Sequence, residues 1–175
     1  MKKINTRGLA FMAILIALVI VLWNIISIST PLLHISLSFI PKMLMGMFFG
    51  PFWSAIGELI ADLLGNTLFS SSTFFIGFTL NKVVEGILYG YFFYKKSASL
   101  KNIIECVMSI TLLVNLILSP IWLLIMYGIP LNSLTLWIPR IVKEMIYMPI
   151  QIVIMLVIVK NMPMRVIKNM LFKEQ

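Results

Sequence analysis

The sequence predicts an all-α membrane protein, a bundle of six transmembrane helices in a single domain over residues 1–175. The first observation is composition: 61% of the residues are hydrophobic and 11% charged, whereas soluble domains carry about 25% charged residues. The second is a mean hydropathy of +1.04. The third is length, because one crossing needs about 20 apolar residues. Six crossings therefore fit, and no separate soluble catalytic or nucleotide-binding domain does.

Six apolar runs define the predicted helices. The first run, 8–26, exceeds the 7–15 apolar residues of a signal peptide, which predicts a retained helix. A Gly-Pro turn at 50–51 separates the second and third runs, and Gly-Asn at 65–66 ends the third. A basic connector at 95–101 and a Gly-Ile-Pro turn at 128–130 set the remaining limits. The predicted spans are about 8–26, 39–49, 52–64, 74–94, 103–127 and 136–159.

Basic residues set the predicted orientation. Ten of the fourteen Lys and Arg residues lie at the termini or in the connector between the fourth and fifth spans, and the loops after spans one, three and five contain none. Since cytoplasmic loops are enriched in Lys and Arg, both termini are expected in the cytoplasm, with an even number of crossings. The ten residues are Lys2, Lys3, Arg7, Lys95, Lys96, Lys101, Lys160, Arg165, Lys168 and Lys173.

Composition also limits the chemistry. The enrichment of Lys and Arg in cytoplasmic loops explains the net charge of +8. We therefore expect the lipid bilayer as a partner and no nucleic acid. A single cysteine, Cys106, excludes an internal disulfide and a multi-cysteine metal site. The chain lacks a G-x-x-x-x-G-K-[ST] phosphate loop. We therefore expect neither a metal nor a cofactor, and any active transport must draw its energy from an ion gradient or another subunit.

Charged residues within the spans indicate where function lies, because each costs about 2.5–3.5 kcal/mol at the centre of a bilayer. Arg140 and Lys143 are three apart on one helical face and suit a dicarboxylate or another anionic group. The alternative pairs Arg140 with Glu144 and extends Lys143 to the interface. Four basic residues lie inside the spans, Lys42, Lys82, Arg140 and Lys143, and they are accompanied by Glu58, Asp62, Glu85 and Glu144.

The spacing of the other charges predicts pairs. Lys82 and Glu85 are three apart, and an internal ion pair is favoured over ligand contact. Glu58 and Asp62, one turn apart, leave a cation or proton site open, although no histidine or further carboxylate joins them on that helix.

Aromatic and amide residues near the outer helix ends complete a predicted pocket for a flat heterocycle, stacked by rings and recognised by amide donors and acceptors. For the tryptophans, an interfacial aromatic belt is the alternative. With Arg140 and Lys143, the predicted substrate-binding residues are Trp122, Trp137, Phe69, Asn66, Asn115, Asn132 and Thr135. Small residues one turn apart predict close helix contacts at 13/17, 46/50 and 86/90.

Three stretches carry a family likeness: 57–65 (GELIADLLG), 75–80 (FIGFTL) continuing through Gly86 and Gly90, and 138–144 (IPRIVKE) continuing through Pro149. The chain resembles the substrate-binding S component of an energy-coupling factor (ECF) vitamin transporter of the folate-specific branch. The resemblance covers essentially the whole chain and implies a multi-pass protein of the bacterial plasma membrane that is not an enzyme.

The resemblance implies folate as substrate and, as partner, a module of two ATPases and a transmembrane coupling protein. It also implies that Ala13 and Ala17, as an A-x-x-x-A motif, dock on that coupling protein, and that the S component topples in the membrane to deliver vitamin taken from outside. Folate's pterin, aromatic middle and dianionic glutamate tail match the predicted aromatic, amide and Arg/Lys residues.

Three alternatives stay open at this point. In the first, the substrate is another vitamin, such as pantothenate or a queuosine precursor. In the second, the chain is a stand-alone ion-coupled transporter. In the third, it is a small membrane enzyme that uses Glu58 and Asp62 as acid and base, although the sequence offers no matching His or Cys set.

Overall fold

The structure, a computed structural model, describes residues 6–29, 34–69, 74–96, 99–128, 130 and 133–162. Its elements are α1 (Thr6–Asn24), β1 (Ser27–Ser29), β2 (His34–Ser36), α2 (Phe39–Phe69), α3 (Ile76–Phe93), α4 (Leu100–Ile110), a π-helical segment (Thr111–Leu118), α5 (Ser119–Tyr127) and α6 (Leu134–Asn161). The helical fold class predicted from the sequence is confirmed for these residues.

Among the described residues, four helical stretches are long and apolar enough to cross a membrane by length and composition: Thr6–Asn24, Phe39–Phe69, which is interrupted at Gly50, Leu100–Tyr127 and Leu136–Asn161. The predicted spans overlap the helical elements, but the first runs two residues past the end of α1, and the fourth begins two residues before α3 and ends one residue after it. The count of six crossings and the cytoplasmic location of both termini stay predictions.

Helix α2 is broken at Gly50, where φ is +84° and ψ 179°. Lys42 lies eight residues before the break and Glu58 eight after it, yet Lys42 Nζ is 3.2 Å from Glu58 Oε2. In a straight helix the same residues would be about 24 Å apart along the axis. The two halves of α2 therefore fold back on each other, at the position where the Gly-Pro turn was predicted.

Two glycines allow α2 and α3 to pack at backbone distance. A Cβ built on Gly90 would lie 2.2 Å from Cα of Pro51, and one built on Gly46 would lie 2.6 Å from the carbonyl carbon of Tyr89. Both separations are far below any real carbon–carbon contact, so a larger residue at either position would force the helices apart. This contact fixes the position of α3 relative to both halves of α2.

The end predicted for the third span was wrong. Gly65 and Asn66, expected as a helix stop, lie inside α2, which continues to Phe69. The Asn66 side chain stabilises this turn by donating to the backbone carbonyl of Asp62 at 2.8 Å. Glycine near the end of an apolar run is a weak stop signal when neighbouring groups, here Asn24, pack against it.

A short β-hairpin, which was not predicted from the sequence, joins α1 to α2 without changing the helical fold class. β1 and β2 pair antiparallel, with Ile28 opposite Ile35. The hairpin is fastened on two sides: Ser36 Oγ donates to the carbonyl of Leu22 at 2.6 Å, and the Tyr147 hydroxyl of α6 donates to the carbonyl of Ser36.

Candidate functional site

Two cavities lie among the helices and share Trp23 and Lys42 in their walls. Cavity A, a cleft open to solvent, is formed mainly by α1 and α2. Cavity B, which is also open to solvent, is formed by the hairpin, α2, α3, the π-helical segment and α6. Cavity B is thus assembled from elements distant in sequence.

The wall of cavity B is mostly polar. α6 contributes Lys143, Tyr147 and Gln151, which are spaced four residues apart and so project from one helical face. Gln151 Nε2 donates to the hydroxyl of Tyr89 at 3.1 Å. Amide, phenol and ammonium groups in one wall can recognise the edge of a polar ring.

A buried ion cluster lies between the cavities. Lys42 Nζ donates to Glu85 Oε2 at 2.5 Å and lies 3.2 Å from Glu58 Oε2. Lys42 is 2% exposed and Glu58 1%. One cation from the first half of α2 therefore neutralises carboxylates from the second half and from α3.

The ion pair predicted between Lys82 and Glu85 is not formed. Glu85 binds Lys42 instead, and Lys82 Nζ lies 3.0 Å from the centre of the Trp23 ring, in a cation–π contact. Local spacing was misleading here because the turn at Gly50 brings a competing ammonium to the same carboxylate.

A second cluster surrounds Glu144 on α6. Its Oε1 lies 2.8 Å from Lys143 Nζ and accepts from Asn115 Nδ2 at 3.0 Å, and its Oε2 accepts from Thr111 Oγ1 at 3.2 Å. The carboxylate is therefore fully engaged by α6 and the π-helical segment.

Arg140 resembles Lys82 in forming no ion pair among the described residues, but one of its own donors also lacks a partner. Its Nη1 donates to the backbone carbonyl of Asn115 at 2.8 Å, and its buried Nε has no hydrogen-bond partner among the described residues. Arg140 is 8% exposed, and no ion pair of its guanidinium with a carboxylate occurs in the described part of the chain. The alternative pairing of Arg140 with Glu144 is thus not formed, and Lys143 turns inward rather than to the interface.

The structure brings only some predicted site residues to the cavities. Asn115 and Lys143 line cavity B, and Arg140 lines neither cavity but donates to the backbone carbonyl of Asn115. Asn66 lines cavity A. Ala13 and Ala17 are exposed on α1, on a surface free to meet lipid or a partner helix.

The predicted aromatic residues lie elsewhere. Trp122 packs against Phe75 and donates from Nε1 to Asn81 Oδ1 at 2.9 Å, outside both cavity walls. Phe69 is exposed at the end of α2, and Trp137 is half-buried on α6. Asn132 and the side chain of Thr135 lie outside the described residues.

Sequence reasoning missed Trp23, Tyr147 and Gln151, which line the cavities. For the last two a signal was available, because they continue the Lys143 face of α6 at intervals of four. Trp23 gave no signal beyond its place near the end of the first span. Among the described residues, no group of three His, Cys, Asp or Glu side chains is placed to hold a metal ion.

Known proteins show the same architecture. Residues 7–159 match the family described as ECF transporter, substrate-specific component. Folate transporter FolT of Clostridium novyi is 40% identical over 154 residues, covering 88% of this chain and 87% of that protein. Folate transporter FolT of Leuconostoc mesenteroides is 30% identical over 163 residues, covering 91% and 88%. A crystal structure of FolT bound with folic acid superposes with a TM-score of 0.87 at 41% identity, covering 90% of this chain and 95% of that one.

Proposed function

We propose that this chain, which belongs to the ECF transporter substrate-specific components, captures folate from outside the cell for an ATP-driven importer. Membership makes it a multi-pass component of a membrane transporter and excludes the enzyme that was left open from the sequence. The folate assignment is supported by relatives named as folate transporters and by the similar structure that holds folic acid.

The observation that carries the proposal is the guanidinium of Arg140. A buried cation without a carboxylate partner is costly in a membrane protein, and a bound anion removes that cost. Arg presents a planar fork of donors that matches a carboxylate in two bonds. We assign Arg140 to the glutamate tail of folate, with Lys143 as the second cation.

Lys143 distinguishes folate from a monoanionic vitamin. Its ammonium is already 2.8 Å from the carboxylate of Glu144. The second carboxylate of a substrate would therefore share the Lys143 ammonium with Glu144. A monoanion such as pantothenate would need Arg140 alone. Folate binding is therefore expected to depend on both cations, and pantothenate binding on one.

The polar wall of cavity B suits the pterin ring. Asn115 and Gln151 supply amide donors and acceptors, and the indole of Trp23 offers a flat surface for stacking. Of the other residues predicted from the sequence, Asn66 lines cavity A, while Trp122 packs against Phe75 and so supports the helices around the site.

Transport requires a second surface. We assign the exposed Ala13 and Ala17 to docking on the coupling protein of a module with two ATPases. Six crossings with both termini cytoplasmic would place the basic connector on the same side as those ATPases. Toppling carries the site through the bilayer, and buried ion pairs such as Lys42 with Glu85 limit the electrostatic cost of that movement.

Titration of the detergent-purified chain with folate tests the proposal. Arg140→Ala is expected to weaken binding by about 2–5 kcal/mol, because a buried charge pair loses one member. Lys96→Ala, which removes an exposed cation outside both cavities, is the control and leaves affinity unchanged. Equal affinity of the Arg140 variant, or a different vitamin identified by mass spectrometry of the purified protein, would overturn the assignment.

Reconstitution into vesicles tests the remaining alternative, a stand-alone ion-coupled transporter. Vesicles that contain the chain with an ECF module are expected to accumulate folate in the presence of ATP, and vesicles with the chain alone are not. Uptake driven by an ion gradient without the module would favour the stand-alone transporter.

A further inference from the structure

We propose that Pro120 is a positioning residue for substrate recognition: by denying a backbone donor to the carbonyl of Asn115, it reserves that carbonyl for the guanidinium of Arg140. The affinity argument rests on the proposed folate function, whereas the hydrogen-bond argument stands without it. Nothing in the sequence analysis singled out Pro120.

The register of the π-helical segment isolates one carbonyl. In a π-helix each N–H bonds the carbonyl five residues earlier, and Ser119 N–H accordingly bonds the carbonyl of Val114. The next carbonyl, that of Asn115, would require an N–H at position 120, and Pro120 has none. The α-helical donor for the same carbonyl, Ser119 N–H, is already used.

A carbonyl shielded from water without a hydrogen-bond donor is unfavourable. The carbonyl of Asn115 is therefore expected to accept a hydrogen bond from another element. Arg140 Nη1 fills it at 2.8 Å. The side chain of the same residue, Asn115, donates to Glu144 at 3.0 Å. Asn115 thus holds Arg140 with its backbone and Glu144 with its amide.

This arrangement explains why Arg140 and Glu144 do not pair, although they are four residues apart on α6, the spacing at which opposite charges normally meet. If position 120 carried an N–H, the carbonyl of Asn115 would return to the helix. Arg140 would then turn to Glu144, and the cation assigned to the substrate would be neutralised internally.

The ligand-free test is a double-mutant cycle on thermal stability with Pro120→Ala and Arg140→Ala. In the wild-type background, Arg140→Ala orphans the Asn115 carbonyl and is expected to lower the unfolding midpoint by a few degrees. In the Pro120→Ala background the helix supplies the donor, and the same change should have less than half that effect. Equal shifts in both backgrounds would overturn the proposal whether or not the chain binds folate.

The affinity arm uses the same four proteins. Pro120→Ala is expected to weaken folate binding about tenfold in the wild-type background and less than twofold in the Arg140→Ala background. Equal losses in both would assign Pro120 a merely structural role. Pro149→Ala, at an exposed proline inside α6, is the control: it restores an N–H away from Asn115, so Arg140→Ala should keep its full effect on both measurements in that background. Pro120→Ser, which also restores an N–H, serves as the second variant.

Discussion

The ammonium of Lys42 donates to Oε2 of Glu85 at 2.5 Å, across 43 positions of sequence, and thereby joins α2 to α3 inside the bundle. The same ammonium lies 3.2 Å from Glu58 on the returning half of α2. One side chain therefore links the first half of α2, its second half and α3, and all three contribute residues to the cavity walls.

Lys42→Met is expected to destabilise the protein strongly. It keeps the volume and removes the charge, which leaves two buried carboxylates without their cation, and breaking a buried pair in this way costs about 3–5 kcal/mol. Thermal unfolding in detergent measures the loss. Lys101→Met removes the exposed i,i+4 pair with Glu105, where Lys101 is 82% exposed, and should leave the midpoint unchanged. Equal midpoints for both variants would contradict a structural role for the Lys42 cluster.

Gly90→Ala is expected to impair folding more than Gly65→Ala. The added Cβ would lie 2.2 Å from backbone atoms of Pro51, which cannot move aside without opening the contact between α2 and α3. Gly65→Ala is the matched comparison, because its nearest neighbour is the amide nitrogen of the Asn24 side chain at 2.9 Å, which can move. The yield of monodisperse protein after size-exclusion chromatography ranks the two, and a higher yield for the Gly90 variant would contradict the expectation.

Much of the fold was predictable because a bilayer allows few backbone conformations. Long apolar runs must be helical to satisfy their backbone hydrogen bonds in lipid, and a Gly-Pro pair interrupts such a run wherever it falls. The hairpin was missed because three-residue strands, such as Ser27–Ser29, are too short to give an alternating pattern. The π-helical segment was equally hidden, since residues 111–118 are mostly apolar and show no change of period.

The site was predictable only in part. Intramembrane charge drew attention to Arg140 and Lys143, because lipid tolerates such residues only with a partner, and their role in binding stays a prediction. Which partners they choose is decided by tertiary contacts: Glu85 binds Lys42 rather than the nearer-spaced Lys82, and Trp122 turns to Asn81 rather than to a cavity. Spacing along one helix cannot show such choices between helices.

Tyr147→Phe is expected to speed the release of folate. The Tyr147 hydroxyl donates to the carbonyl of Ser36 and so fastens the hairpin to α6 at the wall of cavity B. Removing one hydrogen bond of this kind costs about 0.5–1.5 kcal/mol, or roughly a two- to tenfold faster dissociation. Stopped-flow measurement of bound folate gives the rate directly. Tyr91→Phe, which removes an exposed hydroxyl, should not change the dissociation rate. An unchanged rate for the Tyr147 variant would show that this contact of the hairpin does not retain the ligand.

Ala17→Trp is expected to separate binding from transport. Ala13 and Ala17 lie exposed on α1, where small residues let a partner helix approach closely, and an indole at position 17 would hold that helix away. Folate affinity should stay within twofold, since Ala13 and Ala17 are exposed and line neither cavity, whereas ATP-driven uptake with the ECF module should fall at least tenfold. Val153→Trp, an equally large change on the exposed face of α6, should alter neither quantity. If the Ala17 variant transports normally, the coupling protein docks elsewhere on this chain, and if it loses folate binding, α1 supports the site rather than the partner.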